Sequence, residues 1–130
     1  MPDRSVMLDQ VRRYFEYPDV DHAHELYHDV AVLEFPQSGE RFEGVATFTE
    51  WRRRYPAEVG YRLRRVTVRE DLVVVEVSIS YNGGPWQYGV RLLEFRDDKV
   101  ARERIYIMEG FEAPAWRAPW RSATPADPPD

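Results

Sequence analysis

The chain has 130 residues, 43% of them hydrophobic and 14% aromatic, enough for one domain with a core of its own. A formal net charge of −5 disfavours a general nucleic-acid role, and the lack of cysteine excludes disulfides, a thiol nucleophile and cysteine-bound zinc. No apolar run approaches the ~18 residues of a membrane span, and Met-Pro-Asp-Arg-Ser does not open a signal peptide, so a soluble cytoplasmic protein is expected.

Met7, Val11 and Tyr14 recur at helical spacing, with Leu8 and Phe15 beside them, and predict an amphipathic helix over 5–16. Asp3 or Ser5 can cap it, and Pro18 ends it. Asp21 can cap a short helix over 22–28. Ala31 to Phe35 reads as a strand closed by Pro36, and 37–44 as a glycine-containing loop. Phe48, Trp51 and Tyr55 mark a third helix over 45–55, stopped by Pro56. From Gly60 the period changes to two. Residues 60–69 alternate imperfectly, whereas Leu72 to Tyr81 places Val73, Val75, Val77, Ile79 and Tyr81 on one face. Asn82-Gly83-Gly84-Pro85 is a turn, and Trp86–Phe95 and Val100–Met108 are two more strands. The four later strands follow one another as a meander. Residues 111–121 carry Phe111, Trp116 and Trp120 among prolines, an ordered tail without regular structure, packed on the domain or a partner. Residues 122–130 read as a flexible C-terminal extension of a single domain over 1–121. The pattern predicts an α+β fold with helices on one face of a curved antiparallel sheet.

His24-Glu25-Leu26-Tyr27-His28 matches the H-E-x-x-H zinc motif. The extended pattern fails at Ala31 and Glu34, all three histidines lie within 22–28, and the helix is short. An exposed helix face is the better reading, and no metal is expected. The arginines at 52–54 and within 62–65 read as a solvated, mixed-charge surface.

Arg91 and Glu103 flank the turn at Asp97-Asp98. A three-residue loop over 96–98 sets them directly opposite, whereas a two-residue loop would oppose Arg91 to Arg104. Like charges opposite each other are destabilising, so the first register is expected.

Several strings resemble the nuclear transport factor 2-like superfamily, in particular its SnoaL-like members. They are Arg13-Tyr14, Leu26 to Pro36, Phe42-Glu43-Gly44, Tyr81-Asn82-Gly83-Gly84, Glu94 to Val100, and the tail Phe111 to Arg117. The resemblance spans roughly 5–121. It implies a cone-shaped curved antiparallel sheet with helices packed on the concave face, a pocket inside, and a homodimer through the outer sheet face. Val90 and Leu92 would point away from the cone. The family's functions range from isomerases and cyclases to non-catalytic modules, so the fold alone implies no reaction.

Position by position, the family's steroid isomerases carry an aspartate where this chain has Phe35, and an acid where it has Arg91. Their helix-1 tyrosine matches Tyr14. The cyclases' histidine and aspartate are absent from the last strand, unless Glu103 substitutes. No Asp-Arg-Asp set of the epoxide-hydrolase kind can be assembled.

Two functions follow from the resemblance. One is proton-transfer chemistry on a small hydrophobic carbonyl compound, an isomerisation, cyclisation or dehydration without cofactor. Tyr14 would donate a hydrogen bond, Glu103 would act as base, and Arg91 would be its electrostatic partner. Leu33, Phe35, Trp51, Tyr55, Val75, Val77, Ile79, Ile105 and Ile107 would line the pocket. The other is a non-catalytic ligand-binding or dimerisation module.

Overall fold

The computed structural model describes residues 3–123. Helix α1 runs Arg4–Glu16, and the Asp3 carboxylate caps it by accepting from the backbone N–H groups of Ser5 and Val6. Met7, Val11 and Phe15 form its buried stripe. A 3-10 turn at Val20–His22, capped by Asp19 rather than Asp21, leads into α2, Ala23–Leu26. The predicted helix over 22–28 is therefore cut short. Tyr27 and His28 already belong to strand β1, Tyr27–Phe35. His24 and His28 do not share a helix face, because the chain extends after one turn to bury Tyr27 completely.

The segment 37–44 is not simply a loop. Strand β2, Glu40–Glu43, pairs antiparallel with β1 through a turn in which Gly39 N–H returns to the Phe35 carbonyl. Helix α3 spans Val45–Arg53. Four strands follow: β3 Val59–Arg69, β4 Leu72–Tyr81, β5 Gln87–Arg96 and β6 Lys99–Met108. They form the expected antiparallel meander, and the six-stranded sheet has the order β2-β1-β6-β5-β4-β3. The sheet is mixed rather than wholly antiparallel, since β1 lies parallel to β6. Gln37 ties the far end of that junction, donating to the Ile107 carbonyl at 2.8 Å and accepting from the Ile107 N–H at 2.7 Å.

Two irregularities decide which side chains face inward. The β3–β4 register slips at Arg64, so Tyr61 and Leu63 face the core before the slip, and Val66 and Val68 after it. The β5–β6 register slips at Ala101. The turn between these strands has two residues, since Arg96 pairs with Lys99. The extra residue at Ala101 then moves the pairing, and Arg91 lies opposite Ile105, with Glu103 opposite Leu93. The expected direct Arg91–Glu103 pairing is replaced by a diagonal one on the same face.

The core gathers α1, α2 and α3 on the inner face of the sheet around Phe15, Tyr27, Phe48, Leu33, Leu93 and Ile105. Phe15 meets Tyr61 edge-on at 5.9 Å, which seats α1 on β3. Val90 and Leu92 lie on the opposite face, half-buried, beside Val74 and Tyr106. After β6 the tail forms a 3-10 helix, Ala115–Trp120, where no regular structure was expected. It is not packed on the domain: Phe111, Trp116 and Trp120 are 83%, 72% and 76% exposed. Most of the extension predicted to be flexible, 124–130, lies outside the described residues.

Candidate functional site

A cleft of about 690 Å³ opens between α1, α3 and the inner face of the sheet. Its wall is largely aromatic. Phe35, Phe42 and Trp51 pack together, with Phe42 and Trp51 at 5.2 Å, and Tyr55 bridges Trp51 to Tyr81. Ile79, Ile105 and Ile107 supply the aliphatic part. Of the residues expected to line it, Phe35, Trp51, Tyr55, Ile79, Ile105 and Ile107 are on the wall, as are Tyr14 and Arg91. Leu33, Val75 and Val77 are not on it. They are buried in the core, where strand parity carries them inward but neighbouring side chains cover them.

The polar groups form two linked sets. In the first, Arg91 donates to Glu103 Oε2 at 3.1 Å and to the Tyr61 hydroxyl at 2.8 Å, and lies over the rings of Phe15 and Tyr61. Glu103 Oε1 accepts from the Tyr27 hydroxyl. Glu103 is 0% exposed and is not on the cleft wall. In the second set, Arg52 donates to the Tyr14 hydroxyl at 2.8 Å and stacks on Phe48 and Trp51.

Charge and burial compete here. Burial opposes ionisation of Arg91, but Tyr61 and Glu103 outweigh it, and the guanidinium is held more firmly charged than usual. Arg52 behaves likewise, with burial opposed by Tyr14 and Tyr27. The phenols of Tyr14 and Tyr27 are pushed up chiefly by burial, and both stay neutral at physiological pH. Tyr81 is raised to about 12, first by burial and then by Tyr55.

Tyr14 and Tyr61 each accept a hydrogen bond from an arginine, and neither hydroxyl has another partner among the described residues. Each O–H is therefore free to donate to a bound oxygen. The adjoining guanidinium polarises the phenol and strengthens that donation.

Arg52, Tyr61 and Tyr27 were not among the expected site residues. Arg52 is hidden in the run Arg52-Arg53-Arg54, though its i+4 spacing from buried Phe48 is a signal that it faces inward. Tyr61 is obscured by the slip at Arg64, which breaks the alternation of its strand. Tyr27 looked like a helix residue within the zinc-like string.

The family profile described as a SnoaL-like domain matches residues 8–103. The chain belongs to the SnoaL-like family. This SnoaL-like chain is 34% identical to an NTF-2 like protein of unknown function from Burkholderia xenovorans LB400, over 93% of this chain and 97% of that one, with a TM-score of 0.84. It is 25% identical to a candidate ketosteroid isomerase from Kribbella flavida DSM 17836, over 98% and 96% of the two chains, also with a TM-score of 0.84. A SnoaL-like polyketide cyclase candidate from Jannaschia sp. CCS1 shares the fold at 18% identity, over 82% and 88% of the two chains, with a TM-score of 0.65. No curated protein matches the chain. Among the described residues, no helix is long and apolar enough to cross a membrane.

Proposed function

We propose that the cleft binds a small hydrophobic carbonyl compound and promotes proton transfer at the carbon beside the carbonyl, as in an isomerisation, cyclisation or dehydration. The observation that carries this reading is the pair of arginine-backed phenols, Tyr14 and Tyr61, on a largely aromatic and aliphatic wall. When the proton leaves carbon, the electron pair moves to oxygen, and two preset O–H donors stabilise that oxygen more than the starting carbonyl. Tyr14 keeps the donor role expected of it, and Tyr61 joins it. Glu103 acts through Arg91, holding the guanidinium against Tyr61. The carboxylates on the wall itself are Asp19 and Glu40, and these are the candidate proton acceptors.

A non-catalytic binding protein is the second reading. It is favoured by the enclosure of Glu103, whose two oxygens are taken by Tyr27 and Arg91. Hydrogen–deuterium exchange at the α-carbon of methyl 2-naphthyl ketone, followed by NMR, separates the two. Accelerated exchange that falls about 10²-fold or more in Tyr14→Phe or Tyr61→Phe supports catalysis. Binding without exchange supports the second reading, and exchange indifferent to both tyrosines overturns the proposed site. A homodimer through the outer sheet face belongs to the same proposal, supported by the apolar Val74, Val90 and Leu92 there.

A further inference from the structure

Arg52 stands apart from the arginines that follow it. Arg53 reaches the Asp21 carboxylate, and Arg54 pairs with Glu50 at 2.8 Å, both on the solvent side of α3. Arg52 turns the other way, onto the cleft wall. Its one hydrogen-bond partner among the described residues is the Tyr14 hydroxyl, and no carboxylate lies within ion-pairing distance of it. Phe48 and Trp51 cover its faces at 5.4 and 5.6 Å.

Two guanidinium charges thus share the inner end of the cleft with one carboxylate, Glu103, which is committed to Arg91. The surplus is one positive charge in a poorly solvated wall. The acidic residues on the wall, Asp19 and Glu40, are exposed and already engaged, Asp19 with His22 and Glu40 with Ser38. Near Arg52 the remaining groups are donors. Among the described residues, the Tyr14 O–H and the buried Trp51 indole N–H have no acceptor. Donors surrounding an uncompensated guanidinium are complementary to an anion, and a planar fork suits a carboxylate. A single negative charge balances the surplus, whereas a phosphate dianion would overshoot it.

We propose that the natural ligand carries a carboxylate, and that Arg52 holds it, assisted by the Trp51 indole N–H. This rests on the reading of the cleft as a site for a small hydrophobic molecule, and it narrows the substrate class to aromatic or alicyclic acids. An oxo acid is the form that meets both requirements, with its carboxylate at Arg52 and its carbonyl oxygen at the Tyr14 and Tyr61 hydroxyls.

Calorimetric titration with two probes of one shape tests it: 2-naphthoate and methyl 2-naphthyl ketone, at neutral pH and low salt. Naphthoate binds at least about tenfold more tightly than the ketone, as a charge-assisted hydrogen bond implies. Arg52→Met weakens naphthoate by at least about tenfold more than the ketone, which loses only the backing of the Tyr14 phenol, so the preference disappears. Arg52→Lys keeps the charge without the fork, retains part of the preference, and serves if the methionine variant does not fold. Arg54→Met leaves both probes unchanged. Equal binding of the two probes overturns the carboxylate assignment, as does a preference that persists in both Arg52 variants. If the ketone still binds and Tyr14→Phe or Tyr61→Phe weakens it, the carbonyl site stands without the carboxylate. If naphthoate binds through Arg52 and the ketone does not bind, the carboxylate site stands and the carbonyl reading falls. Binding of neither probe overturns both.

Discussion

At Arg91 a guanidinium only 4% exposed is kept charged by a carboxylate that is 0% exposed. Such a pair is costly to bury and costlier to break, because a lone buried charge has no water to replace its partner. Glu103→Leu alone is expected to destabilise the protein by about 3–5 kcal/mol in urea denaturation. The double variant Arg91→Met with Glu103→Leu should recover most of that loss. A double variant no more stable than the single one would show that the pair is not an isolated charge couple. The buried phenols make a second prediction. Tyr81 titrates at about 12 when folded against the ordinary 10.0, and Tyr14 and Tyr27 are also raised. Their neutral forms are favoured in the folded state. The stability they contribute is complete below pH 10 and is lost as pH rises through the folded value. Thermal melts should therefore fall between about pH 10 and 12. The folded protein should also show less tyrosinate absorbance at pH 11 than the unfolded chain, and equal absorbance would contradict the burial of these hydroxyls.

At the scale of elements, the bulge at Ala101 decides the chemistry of β6. Before it, Val100 faces the core. After it, Glu103 and Ile105 do, while Arg102 and Arg104 face out. The outward arginines join a charge row across the sheet: Arg41 to Glu34, Arg102 to Glu34 at 2.6 Å, and Arg104 to Glu94 at 3.1 Å. If Ala101 took a regular paired place instead of bulging, Arg102 and Arg104 would point into the core and Glu103 out of it. Deleting Ala101 removes the bulge but keeps Val100 opposite Phe95 and Arg102 opposite Glu94, so the deletion variant should retain a cooperative thermal transition by circular dichroism. Ala101→Ser keeps the residue count and should cost less than about 1 kcal/mol. Loss of the transition in the deletion variant would mean that the bulge itself, and not only the register it sets, is required.

For the molecule as a whole, the outer sheet face and the tail carry exposed apolar side chains among the described residues. Tyr88 and Met108 are 38% and 39% exposed at the edge of the face that carries Val90 and Leu92. If that face forms a dimer, Leu92→Glu should convert a dimeric species to a monomeric one by light scattering while leaving the thermal transition in place. A wild-type chain that is monomeric at micromolar concentration would remove the dimer proposal. The tail leaves Trp116 and Trp120 exposed, edge to face at 6.5 Å, where the sequence leads one to expect it packed on the domain or a partner. Its prolines fix a short 3-10 turn, but they do not determine what the turn packs against.

Local periodicity determined the elements and their order. The apolar stripe Met7, Val11 and Phe15, and the alternation from Val73 to Tyr81, each follow from one side of an element needing cover. Those patterns, with the ordered strings of the family, were enough to expect the α+β cone and to place Tyr14 and Arg91 on its inner side. Tertiary structure decided the rest. A single extra residue reverses strand parity, and composition carries no mark of it; this is why the Arg91–Glu103 contact is diagonal and why Tyr61 went unseen. Whether an inward side chain meets a cavity or a neighbour depends on packing between distant elements, which separates Ile79 on the wall from Val75 and Val77 beneath it. The same holds for charge. Arg52 reads as one of three surface arginines until the fold turns it, without a carboxylate, toward the cleft.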